Sequence, residues 1–421
     1  MVRNNEQLVK KLDELWEEEK LFLKTLGSFP STLGNETEVQ EFVYHYLQDM
    51  GLQTESLKVD PELLKKYDNF GKPEWSYEDR PVVVGQWKSS GPKKGKSLIL
   101  QSHMDVVNAG PEEQWDTNPY SPVIKGDNMY GRGLLDMKGG FTAIVFAVKA
   151  LRNLGVELGA DLQIQSVIEE ECTGNGALAM LDQGYTAEGA LIPEPTHMRL
   201  VHSQLGVLWL RVKVKGAGAH VERAENAQNA ILKAQKLMES LMHYREHINS
   251  REKHPDFAHH PHPLNVNIGT IEGGNWASSV PTECTFEARV GFYPGTDPDT
   301  VQEEVKQWLW DAANEDEWLK DAQPDITFFG FSAPGYTISK QEDVMEQVTS
   351  THYAVTGAQA ENLAFTATTD LRVFGEFNIP ATCYGPSGGN MHAPNEYIEL
   401  SSLKTVTRVI AEFILRWCEE K

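Results

Sequence analysis

Cysteine, long apolar runs and basic charge are all scarce in this chain. Four cysteines are scattered over 421 residues and none forms a CxxC pair, which favours free structural thiols in a reducing compartment. No apolar run reaches the roughly 18 residues that are needed to span a bilayer. The charged, helix-like N-terminal segment also lacks the apolar core of a signal peptide. We therefore expect a cytoplasmic protein that does not cross a membrane.

Basic residues are outnumbered, because 38 Lys and Arg stand against 61 Asp and Glu, for a net charge of −23. Binding to duplex nucleic acid requires Lys and Arg to replace counterions, so this charge argues against such a partner. The acidity itself is typical of a chain that gains solubility from it. The length is sufficient for two or three domains.

Histidines and carboxylates recur where apolar segments end. Gly131–Gly140 carries Asp136 among glycines, just ahead of an apolar helical segment. The other motifs are His103-Met104-Asp105, Glu169-Glu170-Glu171, Pro193-Glu194-Pro195 and Met391-His392-Ala393. A set of nitrogen and oxygen ligands without cysteine suits a pair of zinc ions that share a bridging carboxylate.

The apolar segments predict an α/β fold with a mostly parallel sheet flanked by helices. Strands are predicted over residues 97–103, 161–168, 189–192 and 381–384, and helices over 5–24, 38–50 (capped from Asn35) and 141–154. The candidate ligands follow these strands, and open α/β sheets bind ligands at the carboxyl ends of their strands. Residues 57–80 lack a clear period, and we interpret them as a surface loop.

The middle of the chain has a different order of elements. A strand over 205–214, a helix over 224–246, strands over 264–271 and 283–292, a helix over 298–313 and a strand over 325–329 predict a β-α-β-β-α-β unit. Such a unit has two layers, with one sheet face left open. We therefore predict a catalytic domain made of residues 1–203 and 334–421, with an inserted α+β domain over 204–333.

Each candidate residue also has an ordinary structural alternative. His103 and Asp105 share a face at a strand end, which suits a metal ligand and the carboxylate that takes its second N–H. A buried His–Asp hydrogen bond without metal is the alternative. Asp136 has the alternative role of a helix cap, although the glycines around it indicate a close backbone approach.

The Glu169–Glu171 triplet groups three carboxylates that repel one another. If the chain is extended there, Glu170 and Glu171 face opposite sides, so that one binds metal and the other serves as general base. A solvated strand end is the alternative.

Two other patterns are explained better by ordinary structure than by a functional site. Gly385-Pro386-Ser387-Gly388-Gly389 matches the G-x-S-x-G elbow of serine hydrolases, but the residues that follow are poor helix formers. The His-rich tract over 254–262 is more typical of a solvated loop than of a second metal site.

Together, the motifs between about residues 97 and 400 resemble the zinc-dependent family of acetylornithine deacetylase, succinyl-diaminopimelate desuccinylase, aminoacylase and glutamate carboxypeptidase. The resemblance implies two Zn²⁺, or Co²⁺ or Mn²⁺ in their place, held by His103, Asp136 and Glu194 on one side and by Asp136, Glu171 and His392 on the other. It also implies that Glu170 is the catalytic base and that Asp105 orients His103.

The same resemblance implies that the inserted domain is a lid that also forms a homodimer. His220, in a G-x-x-A-H motif, would reach the partner's active site and stabilise the oxyanion, and Arg289 on a lid strand would meet a substrate carboxylate. Ser279 departs from the family, in which an Asn commonly precedes Val-Pro.

The implied activity is removal of an acyl group from an N-acyl amino acid, as in acetylornithine deacetylase. A dipeptidase, a carboxypeptidase or an N-formyl amide deformylase on the same fold is the alternative, and the implied substrate is a small N-acyl amino acid or short peptide. A binding protein without catalysis is a distant alternative.

Overall fold

The computed structural model describes residues 5–90 and 92–419 of the chain. Its helices are α1 Asn5–Leu26, α2 Thr37–Asp49, α3 Pro61–Leu64, α4 Gly139–Asn153, α5 Asn175–Asp182, α6 Ala230–Asn249, α7 Pro298–Asn314, α8 Asp343–Thr356, α9 Leu371–Glu376 and α10 Leu400–Trp417. Its strands are β1 Gln53–Leu57, β2 Val82–Trp87, β3 Leu98–His103, β4 Val123–Lys125, β5 Asn128–Tyr130, β6 Leu162–Val167, β7 Ala190–Ile192, β8 Leu200–Gln204, β9 Gly206–Lys215, β10 Val266–Gly273, β11 Glu283–Phe292, β12 Asp325–Ala333, β13 Tyr336–Thr337, β14 Asn362–Phe365, β15 Ala381–Cys383, β16 Gly388–Gly389 and β17 Tyr397–Glu399.

The central sheet has six strands in the order β1-β2-β6-β3-β7-β15. Strands β6, β3, β7 and β15 run parallel, whereas β1 and β2 are antiparallel to their neighbours, so the sheet is mixed. Every residue of β3 and β6 is buried, as expected for strands that are covered on both faces. The predicted α/β class is confirmed.

Helices cover the two faces of this sheet. In β3, Leu98 and Leu100 pack into an apolar cluster with α1, α2, α4 and α10, whereas Ile99 packs into a second cluster with α5 and α9. Because successive strand residues point to opposite faces, the two clusters lie on opposite sides of the sheet. The carboxyl ends of β3, β6 and β7 therefore emerge side by side from a covered sheet.

A second sheet forms in the middle of the chain. Its order is β10-β11-β9-β12, and all of its pairs are antiparallel. Helices α6 and α7 share one apolar cluster with this sheet. The chain order β9-α6-β10-β11-α7-β12 agrees with the predicted β-α-β-β-α-β unit. The division into domains at 203/204 and 333/334 stays a prediction, and its outermost bounds, residues 1 and 421, lie outside the described residues.

Two local predictions were wrong. Glu36, not Asn35, precedes α2, and no side chain caps that helix. Residues 57–80 are not simply a surface loop, because they contain α3 and because Arg80 is buried in ion pairs with Glu36 and Glu169. The sequence has no period here because these side chains are held by distant partners rather than by a regular element.

Across the described ranges, none of the helices combines the length and the apolarity that a bilayer crossing needs.

Candidate metal centre

Five residues from separate segments meet at the carboxyl edge of the central sheet. His103 ends β3, and Asp136 lies in the irregular turn just before α4. Glu171 lies in the turn after β6, and Glu194 follows β7. His392 comes from the loop between β16 and β17. These are the five residues that the sequence analysis assigned to metal.

Asp136 lies between two imidazoles. Its Oδ1 is 3.2 Å from Nε2 of His103, and its Oδ2 is 3.2 Å from Nε2 of His392. Nε2 of His392 is also 3.0 Å from Oε1 of Glu171. A carboxylate that offers one oxygen to each histidine has the arrangement of a bridging ligand.

Two groups of side chains have ligand atoms that all lie within 4.8 Å of one another. One is His103, Glu170 and Glu194, and the other is His103, Asp136 and Glu171. The first group contains Glu170, the expected base, whose Oε2 is 4.0 Å from Nε2 of His103. The two groups thus share residues with the predicted ligand sets, but they do not assign the ligands to the two ions in the predicted way.

The backbone around Asp136 is fixed by a buried ion pair. Glu396 accepts hydrogen bonds from the amides of Leu135 (2.9 Å) and Asp136 (3.3 Å) and is paired with Arg132. Helix α4 begins after Lys138, and no side chain caps it. The alternative that Asp136 is a helix cap is therefore not what the structure contains.

Glycine allows three of the converging segments to touch. A Cβ on Gly140, in the first turn of α4, would lie 2.2 Å from the carbonyl oxygen of Pro193. A Cβ on Gly385 would lie 2.2 Å from the carbonyl oxygen of Glu194. Because real Cβ atoms do not approach so closely, both positions need glycine to seat the turn that bears Glu194.

Asp105 organises the site differently from the expectation. Nδ1 of His103 lies 2.8 Å from the backbone carbonyl of Asp105 and 3.6 Å from its carboxylate. The carboxylate instead accepts the amides of Glu170 (3.3 Å) and Glu171 (3.1 Å). Glu170 and Glu171 lie in a turn rather than in extended chain, so opposite strand faces do not separate them. Asp105 thus links the β3 end to this turn.

The cluster has too little positive charge for its carboxylates. Burial, and next the Glu194 carboxylate, raise the pKa of Glu170 well above its usual range, and burial does the same for the pKa of Glu194. The Glu171 carboxylate raises the pKa of His392 to about 11. Burial opposes ionisation of Asp136, yet hydrogen bonds from both histidines keep its pKa below its usual value.

The residues fit a pair of divalent cations. Oε1 of Glu194 is buried and has no hydrogen-bond partner, whereas buried polar atoms are normally paired. A metal would occupy this free acceptor and supply the charge that the carboxylates lack. The donors are carboxylate oxygen and imidazole nitrogen without thiolate, a set that suits zinc, cobalt or manganese.

Among the described residues of the single chain, the two predicted lid residues make no hydrogen bond or ion pair with this cluster. His220 is exposed, and its Nδ1 accepts the amide of Glu222 in its own turn. Its backbone pairs with Ser279, the residue at which the sequence departs from the family pattern. Within the described residues, no hydrogen bond or ion pair joins His220 to the five candidate ligands.

Arg289 lies on the open face of the lid sheet, in register with Trp209 of β9. Burial lowers the pKa of its guanidinium to about 10. Among the described residues, no carboxylate forms an ion pair with it and no acceptor takes a hydrogen bond from it. An unpaired and partly buried guanidinium is a ready site for an anionic group.

The competing patterns do not form sites. Ser387 is buried, its amide donates to Oγ of Ser402, and the short strand β16 follows it instead of a helix. The His-rich tract contributes to neither of the two metal-competent groups found among the described residues.

A model of peptidase family M20/M25/M40 matches residues 99–416, which is most of the chain. The chain belongs to this family. The resemblance stated from the motifs is thereby confirmed, and so is the predicted class of enzyme, a metal-dependent hydrolase of amide bonds. The prediction of small amide or peptide substrates agrees with this membership at the level of the family.

Two curated relatives of this M20 chain are similar over nearly their whole length. One, from Halalkalibacterium halodurans, is 27% identical over 435 residues, which cover 98% of this chain and 97% of the relative. The other, from Bacillus subtilis, is 28% identical over 436 residues and 98% of each chain. Both relatives are N-formyl-4-amino-5-aminomethyl-2-methylpyrimidine deformylases.

Among solved structures, the dipeptidase Dug1p from Saccharomyces cerevisiae matches the M20 chain with a TM-score of 0.81 and 14% identity. The match covers 100% of this chain and 99% of Dug1p. At this identity, the likeness supports the shared fold alone.

Sequence reasoning missed the residues that hold the ligands in place. Glu396 and Arg132, which fix the Asp136 turn, were not singled out, and Glu169 was given no role of its own. The only available signal was that Arg132 and Glu169 stand inside or beside recognised motifs.

Proposed function

We propose that this M20 enzyme binds two zinc ions and hydrolyses a small N-acyl amide. The observation that carries the proposal is the Asp136 carboxylate with one oxygen towards each of His103 and His392. In this proposal His103, Asp136 and Glu194 hold one ion, and Asp136, Glu171 and His392 hold the other. The buried free oxygen of Glu194 supports the first set.

Glu170 is the proposed base. Its carboxyl group lies in the cluster, and its burial favours the protonated form, which suits a group that takes up a proton and later returns it. A bound pair of divalent ions would polarise the amide carbonyl and make the attacking water easier to deprotonate. Glu170 accepts the proton of that water and then gives it to the departing amine nitrogen. Water and amide thereby become a carboxylic acid and an amine.

Asp105 and His220 have proposed supporting roles. Asp105 fixes His103 through its backbone carbonyl and the Glu170–Glu171 turn through its carboxylate. His220 is exposed on the lid and would donate to the oxyanion in the active site of a second copy.

Arg289 supports a substrate that carries a carboxylate. Arg289 is partly buried, makes no hydrogen bond or ion pair with another described residue, and would pair with the carboxylate of an N-acyl amino acid or peptide. The second candidate is deformylation of an aminopyrimidine, which the full-length similarity to two deformylases favours. Such a substrate has no carboxylate for Arg289 to bind.

A substrate panel separates the two candidates. The Zn²⁺-loaded enzyme is assayed with N-acetyl and N-formyl amino acids, with their carboxamide analogues, and with the N-formyl aminomethylpyrimidine. We expect Arg289→Met to lower kcat/KM for the acids by about 10–100-fold, the value of a hydrogen-bonded charge pair, and to leave the carboxamides unchanged. Turnover of the pyrimidine alone, unaffected by Arg289→Met, would establish the second candidate, and no turnover of any amide would contradict the proposal.

We also propose that the chain forms a homodimer through the lid. Strand β10 is one of the two outer strands of its sheet, and Ile271 on it is 54% exposed. Trp276 is 73% exposed and Val221 is 52% exposed on the neighbouring loops. An exposed edge strand with apolar side chains is normally covered by a partner.

A cytoplasmic location remains part of the proposal. Its support is that all four cysteines are free and buried, which suits a reducing compartment.

A further inference from the structure

Glu169 is a buried carboxylate with an unusually full set of donors. Its Oε1 accepts the indole N–H of Trp75 at 2.6 Å and pairs with Nη1 of Arg80 at 2.7 Å. Its Oε2 accepts the hydroxyl of Thr173 at 2.7 Å and the hydroxyl of Tyr77. Four donors around one buried carboxylate offset the cost of removing its charge from water, so this side chain has one well-defined position.

The backbone of Glu169 is also constrained. Its φ is +66°, in the left-handed region that residues other than glycine seldom adopt. Its carbonyl accepts the amides of Thr173 (3.0 Å) and Gly174 (2.7 Å). These bonds close the turn that contains Glu170 and Glu171, and Asp105 holds the amides of that pair from the other side.

Three of the four donors, Trp75, Tyr77 and Arg80, come from a segment that also touches the lid. The backbone carbonyl of Lys72 accepts the amide of Gly330 on β12 at 2.8 Å, and Glu74 pairs with Arg211 on β9 at 2.8 Å. Residues 72–77 therefore run from the lid sheet to the Glu169 carboxylate. A shift of this segment would act on the turn through Trp75 and Tyr77.

We infer that Glu169 is a positioning residue for the proposed catalytic base and metal ligand that follow it. The inference rests on the proposed roles of Glu170 and Glu171. Glu169 itself has no free lone pair directed at a substrate, because its two oxygens are occupied by the donors of residues 75–80 and 173. Its action is to fix the start of the turn, so that Glu170 and Glu171 point into the cluster together.

The main test is Glu169→Gln, which keeps the shape of the side chain but removes its charge and places an NH₂ group against donors. We expect kcat to fall by about 10–100-fold, the usual effect of losing a group that orients ligands, with KM within about threefold of the wild type. We also expect Zn²⁺ titration of the apo-protein to give a weaker affinity for one of two ions and an unchanged affinity for the other. Unchanged kcat and unchanged metal affinities would overturn the inference.

A milder pair of variants covers the case in which Glu169→Gln does not fold. Trp75→Phe removes one donor to Glu169, and Trp308→Phe is the matched control, because its indole donates to the carbonyl of Ser240 in the lid at 2.9 Å. We expect Trp75→Phe to lower kcat and Trp308→Phe to leave it unchanged. Equal effects of the two variants on kcat would mean a purely structural role and would overturn the inference.

Hydrogen exchange of the metal-free protein separates this inference from the proposed function. Trp75→Phe should speed amide exchange at Glu170 and Glu171, and Trp308→Phe should not. This readout needs neither substrate nor metal. Faster exchange in a protein that proved inactive would therefore leave the positioning by Glu169 standing while the proposed function failed, whereas unchanged exchange would overturn the inference.

Discussion

At the scale of single residues, the proposed chemistry depends on carboxyl groups whose surroundings favour different protonation states. Asp136 is held ionised by hydrogen bonds from two histidines, whereas burial favours the protonated form of Glu170. Burial also raises the pKa of Glu194, a proposed ligand, so the position of each carboxyl group rather than its pKa assigns its task. The Asp105 carboxylate ties the backbone of Glu170 to the strand that bears His103.

Replacing the proposed base tests this division of tasks. Glu170→Gln keeps the size of the side chain but cannot take up a proton, so we expect kcat to fall by about 10²–10⁴-fold, the usual contribution of a general base. Metal analysis of the same variant should still find the wild-type content. Glu171→Gln is the matched comparison one residue away and should lose metal. A Glu170→Gln enzyme with normal turnover would exclude Glu170 as the base.

The candidate ligands could be predicted from the sequence because each is a metal-binding residue type that follows an apolar strand or stands in a glycine-containing motif beside an apolar segment. Their supports could not. The Glu169 donors Trp75, Tyr77 and Arg80 lie in a segment without a period, and only the folded chain brings them to the β6 turn. Similarly, we expected the second ring nitrogen of His103 to contact the Asp105 carboxylate, but its Nδ1 lies against the backbone carbonyl of Asp105 instead. Such choices depend on distances that the sequence does not contain.

At the scale of elements, α1 joins the core through a buried acid. Glu19 on α1 is fully buried, and its Oε1 is in contact with the hydroxyl of Thr407 on α10. That hydroxyl also lies 3.0 Å from the carbonyl of Leu403, and its single proton cannot serve both. A protonated Glu19 satisfies both contacts, in agreement with its burial, which raises its pKa to about 8.

The packing of α1 should therefore weaken as the pH rises. In the unfolded chain the Glu19 carboxyl loses its proton near pH 4.5, whereas in the folded chain it keeps the proton up to about pH 8. Between these values its contribution to the free energy of unfolding falls by roughly 1.4 kcal/mol per pH unit. Glu19→Gln cannot ionise, so the variant should gain stability relative to the wild type between pH 5 and pH 8 in urea unfolding. If the free energies of unfolding of Glu19→Gln and the wild type differed by the same amount at pH 5 and at pH 8, a neutral Glu19 would be contradicted.

Most elements could be predicted because their hydrophobic period is strong. The strand over 97–103 and the helix over 298–313 lie within one residue of β3 and α7. The predicted cap of α2 was wrong, because Glu36 directly precedes the helix and the Asn35 side-chain amide donates to Oγ1 of Thr32. A local pattern does not decide between two neighbouring polar residues that can both precede a helix.

At the scale of the whole molecule, the site is incomplete in one chain if the proposed oxyanion donor comes from a partner. His220 and the exposed edge of β10 belong to the same part of the chain, so the proposed contact between two lids would cover the edge and is also the contact proposed to bring His220 to the other active site. The covered edge would bury Ile271 and Trp276, which are otherwise exposed to water.

Disrupting this edge should both separate the subunits and lower the rate of turnover. In sedimentation experiments we expect a dimer for the wild type and a monomer for Ile271→Asp, because a charge opposes burial of the strand. Activity should fall about 10²–10³-fold, as on loss of one oxyanion donor, while metal stays bound. Leu63→Asp, at a 57% exposed position on α3, is the control. A fully active Ile271→Asp monomer would rule out a donor from a partner.

The metal content of the full chain, purified without added metal or chelator, tests the proposed metal centre most directly. Elemental analysis should find up to two divalent ions per chain, and zinc added to a metal-stripped sample should restore two. His392→Ala should lower this number, because His392 contacts both Asp136 and Glu171. A chain that holds no metal and takes up none when zinc is added would contradict the assignment of this cluster as a metal centre.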